Sequence, residues 1–291
     1  MNRQVTCAAL VATLAGFGCR SPEASRALSE PATAGLVAYW TFDEGSGSVL
    51  RDVSGNGHHG TIHGATWVKS GTGHALAFTG NRSYVDFGNV AALKPTGDFS
   101  FSAWVRLDAD PYPDKTTNWH LFGWETYTKS GATLRLAGST AQVYFRSSHD
   151  GVGNGRSEGL STTRLANRTF YHVAVVKHGR TVALYVDGVL DATLASDDPA
   201  PNDLPFTLST AEQSFAGTMS NVRLYHRALS AGEVVSLYAE TGAAHRKDLS
   251  WVGKLQVTPF VYYDSGQAII EADFRGVLPL QAGERVCVEL R

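Results

Sequence analysis

The chain has 291 residues, of which 43% are hydrophobic and 18% charged, so it is long enough to bury a core. Its 30 glycines favour a fold with many turns. The formal net charge of −2 provides no basic surface of the kind that binds nucleic acid or an anionic membrane, so we expect neither as a direct partner.

The first residues have the pattern of an export signal. Arg3 precedes an apolar run at residues 5–17 that is too short to span a bilayer, and Cys19 follows it. This stretch resembles a bacterial lipoprotein signal, in which the cysteine is lipid-modified, although the two residues before Gly18 depart from the usual pattern. We predict a signal peptide at residues 1–18, lipidation at Cys19, and a location at the cell envelope or outer surface. Ordinary secretion after a cut near Gly18 is the alternative.

Residues 19–35 are rich in Ser, Ala, Pro and Glu without a hydrophobic period, which predicts a flexible tether. From Leu36 onward, short apolar runs alternate with Gly, Asn and Asp, as is typical of an antiparallel all-β sandwich. The segment at 99–107 places apolar residues at every odd position, so one of its faces is predicted to be core. Residues 60–68 are predicted as one strand.

Turn and cap residues locate further elements. Asp187 and Gly188 between two apolar runs predict a hairpin. Ser230 with Glu233 three residues later predicts a capped helix, which Gly242 ends. The remaining residues, 243–291, are predicted to be a linker and a partial C-terminal β segment with a hairpin at 264–266.

The stretch from Asp52 to Gly60, here named the Asp52 turn, combines glycines with clustered oxygen donors. Gly and Asn allow positive φ, while Asp, Ser and Asn side chains compete for backbone hydrogen bonds, so a shaped turn is predicted. Two interpretations remain open. Its side chains either satisfy nearby backbone groups only, or close around a hard cation such as calcium.

Several motifs in sequence order support a resemblance. They are YWTFDEG at 39–45, DVSGNG at 52–57, ALAFTG at 75–80, FSFSAWV at 99–105, YHVAVV at 171–176, LYVDG at 184–188 and FAGTMSNVRLYHRALS at 215–230. Together they resemble the laminin-G-like, concanavalin-A-like lectin/glucanase jelly-roll family over residues 36–242. The resemblance implies two packed antiparallel sheets, one short C-terminal helix, and binding of extracellular carbohydrate or protein, often beside an enzymatic domain.

The resemblance also implies calcium at the Asp52 turn. Asp52 would supply a carboxylate, Asn56 and His59 would supply backbone carbonyls, and the closing strand would supply a further acid. At that last position this sequence has Ser220, a neutral and weaker ligand, so the affinity for calcium should be lower.

No catalytic constellation is visible, so we predict that the chain is not an enzyme. The nearest match to the three-acid strand of related glucanases is Glu271 and Asp273, with Arg275 in place of the last acid. The candidate sugar-binding platform is Trp119, Trp124 and Tyr127, because aromatic faces stack on the C–H surfaces of sugars. Core packing is the alternative, and it is favoured for Trp124.

The sequence therefore predicts an exported, surface-anchored module that binds an extracellular ligand, with carbohydrate as the favoured class. An accessory domain of a larger glycan-degrading enzyme and a protein-adhesion or structural module are the alternatives.

Overall fold

The computed structural model describes residues 33–108, 118–125, 129–150, 155–249, 252, 256–262 and 267–273, the last two segments by their backbone. The predicted signal peptide, Cys19, Tyr127 and Arg275 lie outside the described residues. Among the helices that are described, none has the length and apolar character needed to cross a membrane.

Sixteen strands build the main body of the protein. In chain order they are β1 (Leu36–Trp40), β2 (Val49–Leu50), β3 (Gly60–His63), β4 (Thr66–Ser70), β5 (Gly73–Thr79), β6 (Tyr84–Asp86), β7 (Phe99–Leu107), β8 (Trp119–Gly123), β9 (Gly131–Leu136), β10 (Gln142–Ser148), β11 (Arg156–Arg164), β12 (Phe170–His178), β13 (Thr181–Val186), β14 (Val189–Ala195), β15 (Thr207–Leu208) and β16 (Ala216–Tyr225). One helix, α1 (Ala231–Gly242), follows, and 3₁₀ turns lie at Ala91–Leu93 and Ala243–His245.

The strands form two eight-stranded antiparallel sheets. The first sheet has the order β14-β13-β12-β7-β16-β5-β4, with β1 also paired to β16. The second sheet has the order β11-β10-β9-β8-β15-β6-β3-β2. A separate two-stranded sheet joins β17 (Gln256–Tyr262) and β18 (Gln267–Asp273). The predicted all-β jelly-roll architecture with a short helix and a C-terminal β segment is confirmed.

The core lies between the two sheets and follows the predicted alternation. In β7 the odd positions, from Phe99 to Leu107, are buried in one hydrophobic cluster. Phe101 of the first sheet stacks on Phe122 of the second, with 3.4 Å between ring centroids. Side chains of the two inner faces therefore interdigitate as in other sandwiches.

One predicted strand is in fact two. Residues 60–68 divide at Gly64 into β3, which belongs to the second sheet, and β4, which belongs to the first. Gly64 has φ +63°, and a Cβ atom there would lie 2.9 Å from the carbonyl oxygen of Arg82. The glycine turn lets the chain cross between sheets, a change of partner that the alternation pattern does not reveal.

The predicted hairpin and helix cap are confirmed. Asp187 and Gly188 both have positive φ, +50° and +79°, as a type I′ turn requires. At the helix start the Glu233 N–H donates to the Ser230 hydroxyl at 3.3 Å, while the Ser230 N–H donates to the Glu233 carboxylate at 2.8 Å. This capping box satisfies two backbone donors at the N-terminus of α1.

Helix α1 covers the outer face of the first sheet. Val234 and Leu237 of the helix pack in one cluster with Val176 and Tyr225 of the sheet. Near the end of the helix, the indole N–H of Trp104 donates to the Thr241 hydroxyl at 2.7 Å. This outer face is therefore occupied by a part of the chain itself.

His172 lies in this interface, with its ring 5.4 Å from that of Trp104. Burial, with smaller contributions from Arg223 and His245, lowers the pKa of His172 to about 3. The unfolded chain takes up a proton near pH 6.5, whereas the folded chain does so only near pH 3. The stabilising effect of the neutral imidazole is therefore complete above pH 6.5 and is lost as the pH falls toward 3.

We predict that His172→Leu reduces the loss of unfolding free energy between pH 6.5 and 4. Each buried histidine contributes up to about 1.4 kcal/mol per pH unit in this range, and His120 and His245, whose pKa values are also lowered, act in the same direction. Urea unfolding at a series of pH values measures the slope. Leu190→Ala, at an exposed residue without a titratable group, is the control and should keep the wild-type slope. Equal slopes for His172→Leu and wild type would contradict the assignment.

Candidate functional site

The Asp52 turn is organised by hydrogen bonds to the Asp52 carboxylate, which is 7% exposed. One carboxylate oxygen, Oδ1, accepts from the N–H groups of Tyr39 at 3.0 Å and Ser54 at 2.8 Å. The other, Oδ2, accepts from the Ser54 hydroxyl at 2.9 Å and from the His58 N–H at 3.0 Å. Burial alone would raise the pKa of Asp52, but these hydrogen bonds outweigh it and lower the pKa, so the group is ionised.

The side chains of the other residues predicted to bind calcium have hydrogen-bond partners of their own. The Asn56 side-chain amide donates to the carbonyl oxygen of Val37 at 2.8 Å, and Nδ1 of His59 accepts from the Asp52 N–H at 3.0 Å. Ser220 lies opposite Trp104 in the first sheet, and its hydroxyl contacts Nε2 of His245 at 3.5 Å. These side-chain contacts hold Asn56 and His59 within the turn and Ser220 against the segment that follows α1, and calcium binding by the four predicted ligands stays a prediction.

The two described tryptophans of the predicted platform are core residues. Trp119 is 3% exposed and Trp124 is 1% exposed, and both belong to the main hydrophobic cluster. Trp124 packs edge-on against Phe99, with 6.2 Å between ring centroids. This burial contradicts an exposed sugar platform at these two positions and agrees with the core-packing alternative. Tyr127 lies outside the described residues.

The residues that directly follow Trp119 and Trp124 in the sequence lie on the outer face of the second sheet. Trp119 points into the core, so the alternation of β8 directs His120 to the outer face of the second sheet. Glu125 follows Trp124 and meets two arginines of the same face. The Arg135 guanidinium donates to Glu125 at 2.9 Å, and the Arg146 guanidinium donates to it at 2.5 Å. Parity counted from Trp119 could have found His120, but a register shift between His120 and Phe122 breaks the alternation before Glu125.

Glu125, Arg135 and Arg146, here named the Glu125 cluster, have almost fully buried side chains. Burial raises the pKa of Glu125, although the adjacent arginines act in the opposite direction. Burial and the positive charges of Arg135 and Arg146 hold the pKa of His120 well below its usual range. Its imidazole is therefore neutral, with Nδ1 at 3.2 Å from the Thr133 hydroxyl.

More exposed side chains continue the same outer face, here named the polar face. Toward one edge, the ring of His63 stacks on that of Tyr84 with a centroid distance of 4.7 Å and an interplanar angle of 19°. Toward the other edge, the Tyr144 hydroxyl donates to Glu158 at 2.5 Å. Burial and the Glu158 carboxylate raise the pKa of Tyr144 to about 12, so its hydroxyl keeps its proton.

The strand register places these groups in two sets, one on each side of β15. Tyr144 lies opposite Arg135, and Arg135 lies opposite His120. Beyond β15, Tyr84 lies opposite His63. Directly paired residues in a sheet share a face, so aromatic and charged side chains run across neighbouring strands on the polar face.

The comparisons with known proteins agree with this architecture. The family model described as the concanavalin A-like lectin/glucanases superfamily matches residues 79–235. A search of curated proteins gives no significant match.

Three solved structures illustrate the shared fold. The binding domain of Paraclostridial Mosquitocidal Protein 1 has a TM-score of 0.61 and 13% identity, covering 82% of this chain and 63% of that one. Domain 4 of AbnA, an extracellular GH43 arabinanase from Geobacillus stearothermophilus in complex with arabinotriose, has a TM-score of 0.59 and 21% identity, covering 70% and 98%. Trypanosoma rangeli sialidase in complex with sialic acid has a TM-score of 0.55 and 21% identity, covering 75% and 35%. The chain thus spans less than two thirds of the toxin domain and about a third of the sialidase.

We predict that Glu125→Gln destabilises the protein by about 3 to 5 kcal/mol, because two buried guanidinium groups lose the carboxylate that neutralises them. Urea unfolding at neutral pH measures the change. Asp203→Asn is the matched control, since Asp203 forms an exposed ion pair with Lys129 and its replacement should leave stability almost unchanged. An equal, small effect of both substitutions would show that the Glu125 cluster does not support the polar face.

Proposed function

Because the chain belongs to the concanavalin A-like lectin/glucanases superfamily, we propose that it is a carbohydrate-binding module whose ligand lies on the polar face. The observation that carries the proposal is the contrast between the two outer faces. Helix α1 covers the first sheet with an apolar contact. The second sheet instead presents the stacked pair of His63 and Tyr84 and the pair of Tyr144 and Glu158, while the side chains of the Glu125 cluster on the same face are almost fully buried.

The side chains of the polar face match the chemistry of a sugar. A sugar ring has apolar C–H surfaces, on which aromatic rings stack, and hydroxyl groups, which both donate and accept hydrogen bonds. Tyr84 and His63 supply aromatic surface, and the exposed Leu160 adds apolar area near Tyr144. The Tyr144 hydroxyl, which donates to Glu158, and the Glu158 carboxylate both supply acceptors for sugar hydroxyl groups. Apolar surface with a few fixed polar groups is the usual composition of a ligand site.

The structural neighbours support a glycan as the ligand class. The arabinanase domain was solved in complex with arabinotriose, and the sialidase in complex with sialic acid. Identities of about 21% relate these proteins to the chain by fold, so they do not identify its particular sugar.

We propose binding without cleavage. A glycosidase needs two carboxyl groups that face the scissile bond, about 5 Å apart in retaining enzymes and about 6.5 to 9.5 Å apart in inverting ones. Glu125 is buried between two arginines, and Glu158 accepts a hydrogen bond from Tyr144. Glu271 and Asp273 lie in β18, whose only partner strand in the described part of the chain is β17. These surroundings favour a binding role over acid–base chemistry.

An accessory role beside a catalytic domain is the second candidate. The observation that favours it is the match to 98% of one domain of an extracellular arabinanase, because that domain belongs to a larger glycan-degrading enzyme. A protein-adhesion module is the remaining alternative, and it is the conclusion if no glycan binds.

We predict that the chain binds at least one oligosaccharide on a glycan array and that Tyr84→Ala weakens this binding about tenfold, equivalent to about 1.4 kcal/mol, through loss of ring stacking. Titration calorimetry with the best array ligand measures the change. Leu190→Ala is the control, because Leu190 is 52% exposed but lies on β14 of the first sheet. Equal affinities of Tyr84→Ala and wild type would exclude the aromatic pair from the site, and an array without any binder would refute the glycan class.

Export and anchoring through Cys19 are part of the same proposal, supported by the apolar run at 5–17 that precedes the cysteine. We predict that the full chain produced in a bacterium incorporates labelled fatty acid and that Cys19→Ser abolishes the incorporation. Cys7→Ser, inside the signal, is the control and should keep the label. Secretion of unlabelled wild-type protein would support cleavage near Gly18 without a lipid.

A further inference from the structure

We propose that the Asp52 carboxylate closes the Asp52 turn in place of a bound cation, so that the domain folds and binds its ligand independently of calcium. The statement about folding depends on the geometry of the turn alone. The statement about ligand binding rests also on the proposed function.

Both side-chain oxygens that Asp52 would offer to a calcium ion already have protein donors. Both oxygens of Asp52 accept two hydrogen bonds each, from Tyr39, Ser54 and His58. Calcium takes six to eight oxygen ligands, so binding it here would require several of these donors to leave. The backbone N–H groups carry partial positive charge and stabilise the carboxylate as a cation would.

The nearby carbonyl oxygens are occupied in the same way. The carbonyl oxygen of Val37 accepts from the Asn56 amide at 2.8 Å and from the Ser54 hydroxyl at 3.2 Å. The carbonyl oxygen of His58 accepts from the indole N–H of Trp40 at 2.8 Å. The turn therefore offers N–H and O–H groups toward its acceptors, which is the arrangement of a self-contained hydrogen-bonded loop.

The charge of the site leads to the same conclusion. The affinity of a calcium site increases with the number of charged ligands. In the described ranges of the chain, no group of three or more His, Cys, Asp or Glu side chains is placed to hold a metal ion. Asp52 is the one carboxylate that closes the turn, and its single negative charge is compensated by the donors named above.

The experiment compares thermal unfolding of the full chain in excess calcium chloride and in EDTA. We expect the same Tm in both solutions for wild type, and a Tm lowered by about 5 °C in both solutions for Asp52→Asn, because the neutral amide cannot accept the same four hydrogen bonds. Ser220→Ala is the matched control and should show no calcium-dependent shift. A calcium-induced rise in Tm that Asp52→Asn abolishes would overturn the proposal.

Two further measurements keep the test decisive if Asp52→Asn does not fold. Titration calorimetry of calcium chloride into wild type should show no stoichiometric binding, and a stoichiometric site that also raises Tm would overturn the proposal. Retention of the array ligand should be equal with and without EDTA, and loss of retention in EDTA would overturn the statement about ligand binding. If no glycan is retained in either solution, the proposed function fails while the Tm comparison still decides whether the turn closes without a cation.

Discussion

The packing and hydrogen bonding of one residue, Trp40, connect the main parts of the sandwich. Its ring lies in the core, 4.5 Å from the ring of Phe87 and 6.2 Å from that of Phe206, both of which lie beside strands of the second sheet. Its indole N–H donates to the carbonyl of His58, and its backbone forms a bridge with Asp52. The same residue of β1 therefore fixes the distance between the sheets and the position of the Asp52 turn. A polar turn is held in place because its anchor is a fully buried aromatic side chain.

The two outer faces of the sandwich have different physical roles. The first sheet buries its outer face against an amphipathic helix, so this face contributes to stability through apolar contact. On its outer face the second sheet has the Glu125 cluster, in which one carboxylate accepts charge-assisted hydrogen bonds from two guanidinium groups. Such a buried ion pair contributes little net stability compared with apolar residues of similar size, whereas removal of one partner is strongly destabilising.

The sequence correctly predicts elements whose signals lie within a few neighbouring residues. The prediction fails where an element depends on a strand that is distant in the sequence. Two such elements are the capping box, formed by Ser230 and Glu233, and the turn at Asp187. Each is formed by residues a few positions apart, so residue type and spacing identify it. At Gly64 the chain passes from the second sheet to the first. This change depends on which strands pair with β3 and β4, and no local sequence pattern carries that information. Trp119 illustrates the same limit in the site, since residue type suggests an exposed aromatic ring while the strand places that ring in the core.

The charged groups of the polar face could not have been grouped from the sequence for the same reason. Arg135 and Arg146 lie on neighbouring strands, and Glu125 approaches both from beyond the end of a third strand. Each residue alone resembles an ordinary surface charge, and only the sheet order brings them within hydrogen-bonding distance. The candidate site is thus a property of tertiary structure rather than of any one motif.

The first and last strands of the sandwich lie side by side. Leu36, which begins β1, pairs with Tyr225, which ends β16, and just outside this pair the His226 N–H donates to the carbonyl of Gly35 at 2.8 Å. The chain then continues into α1, which packs on the same sheet, so its C-terminal segment leaves the sandwich only after the helix. Tension applied between the flanking segments therefore acts on the β1–β16 pair at one end and on the contacts of α1 at the other. The polar face belongs to the other sheet and lies outside the line of that force.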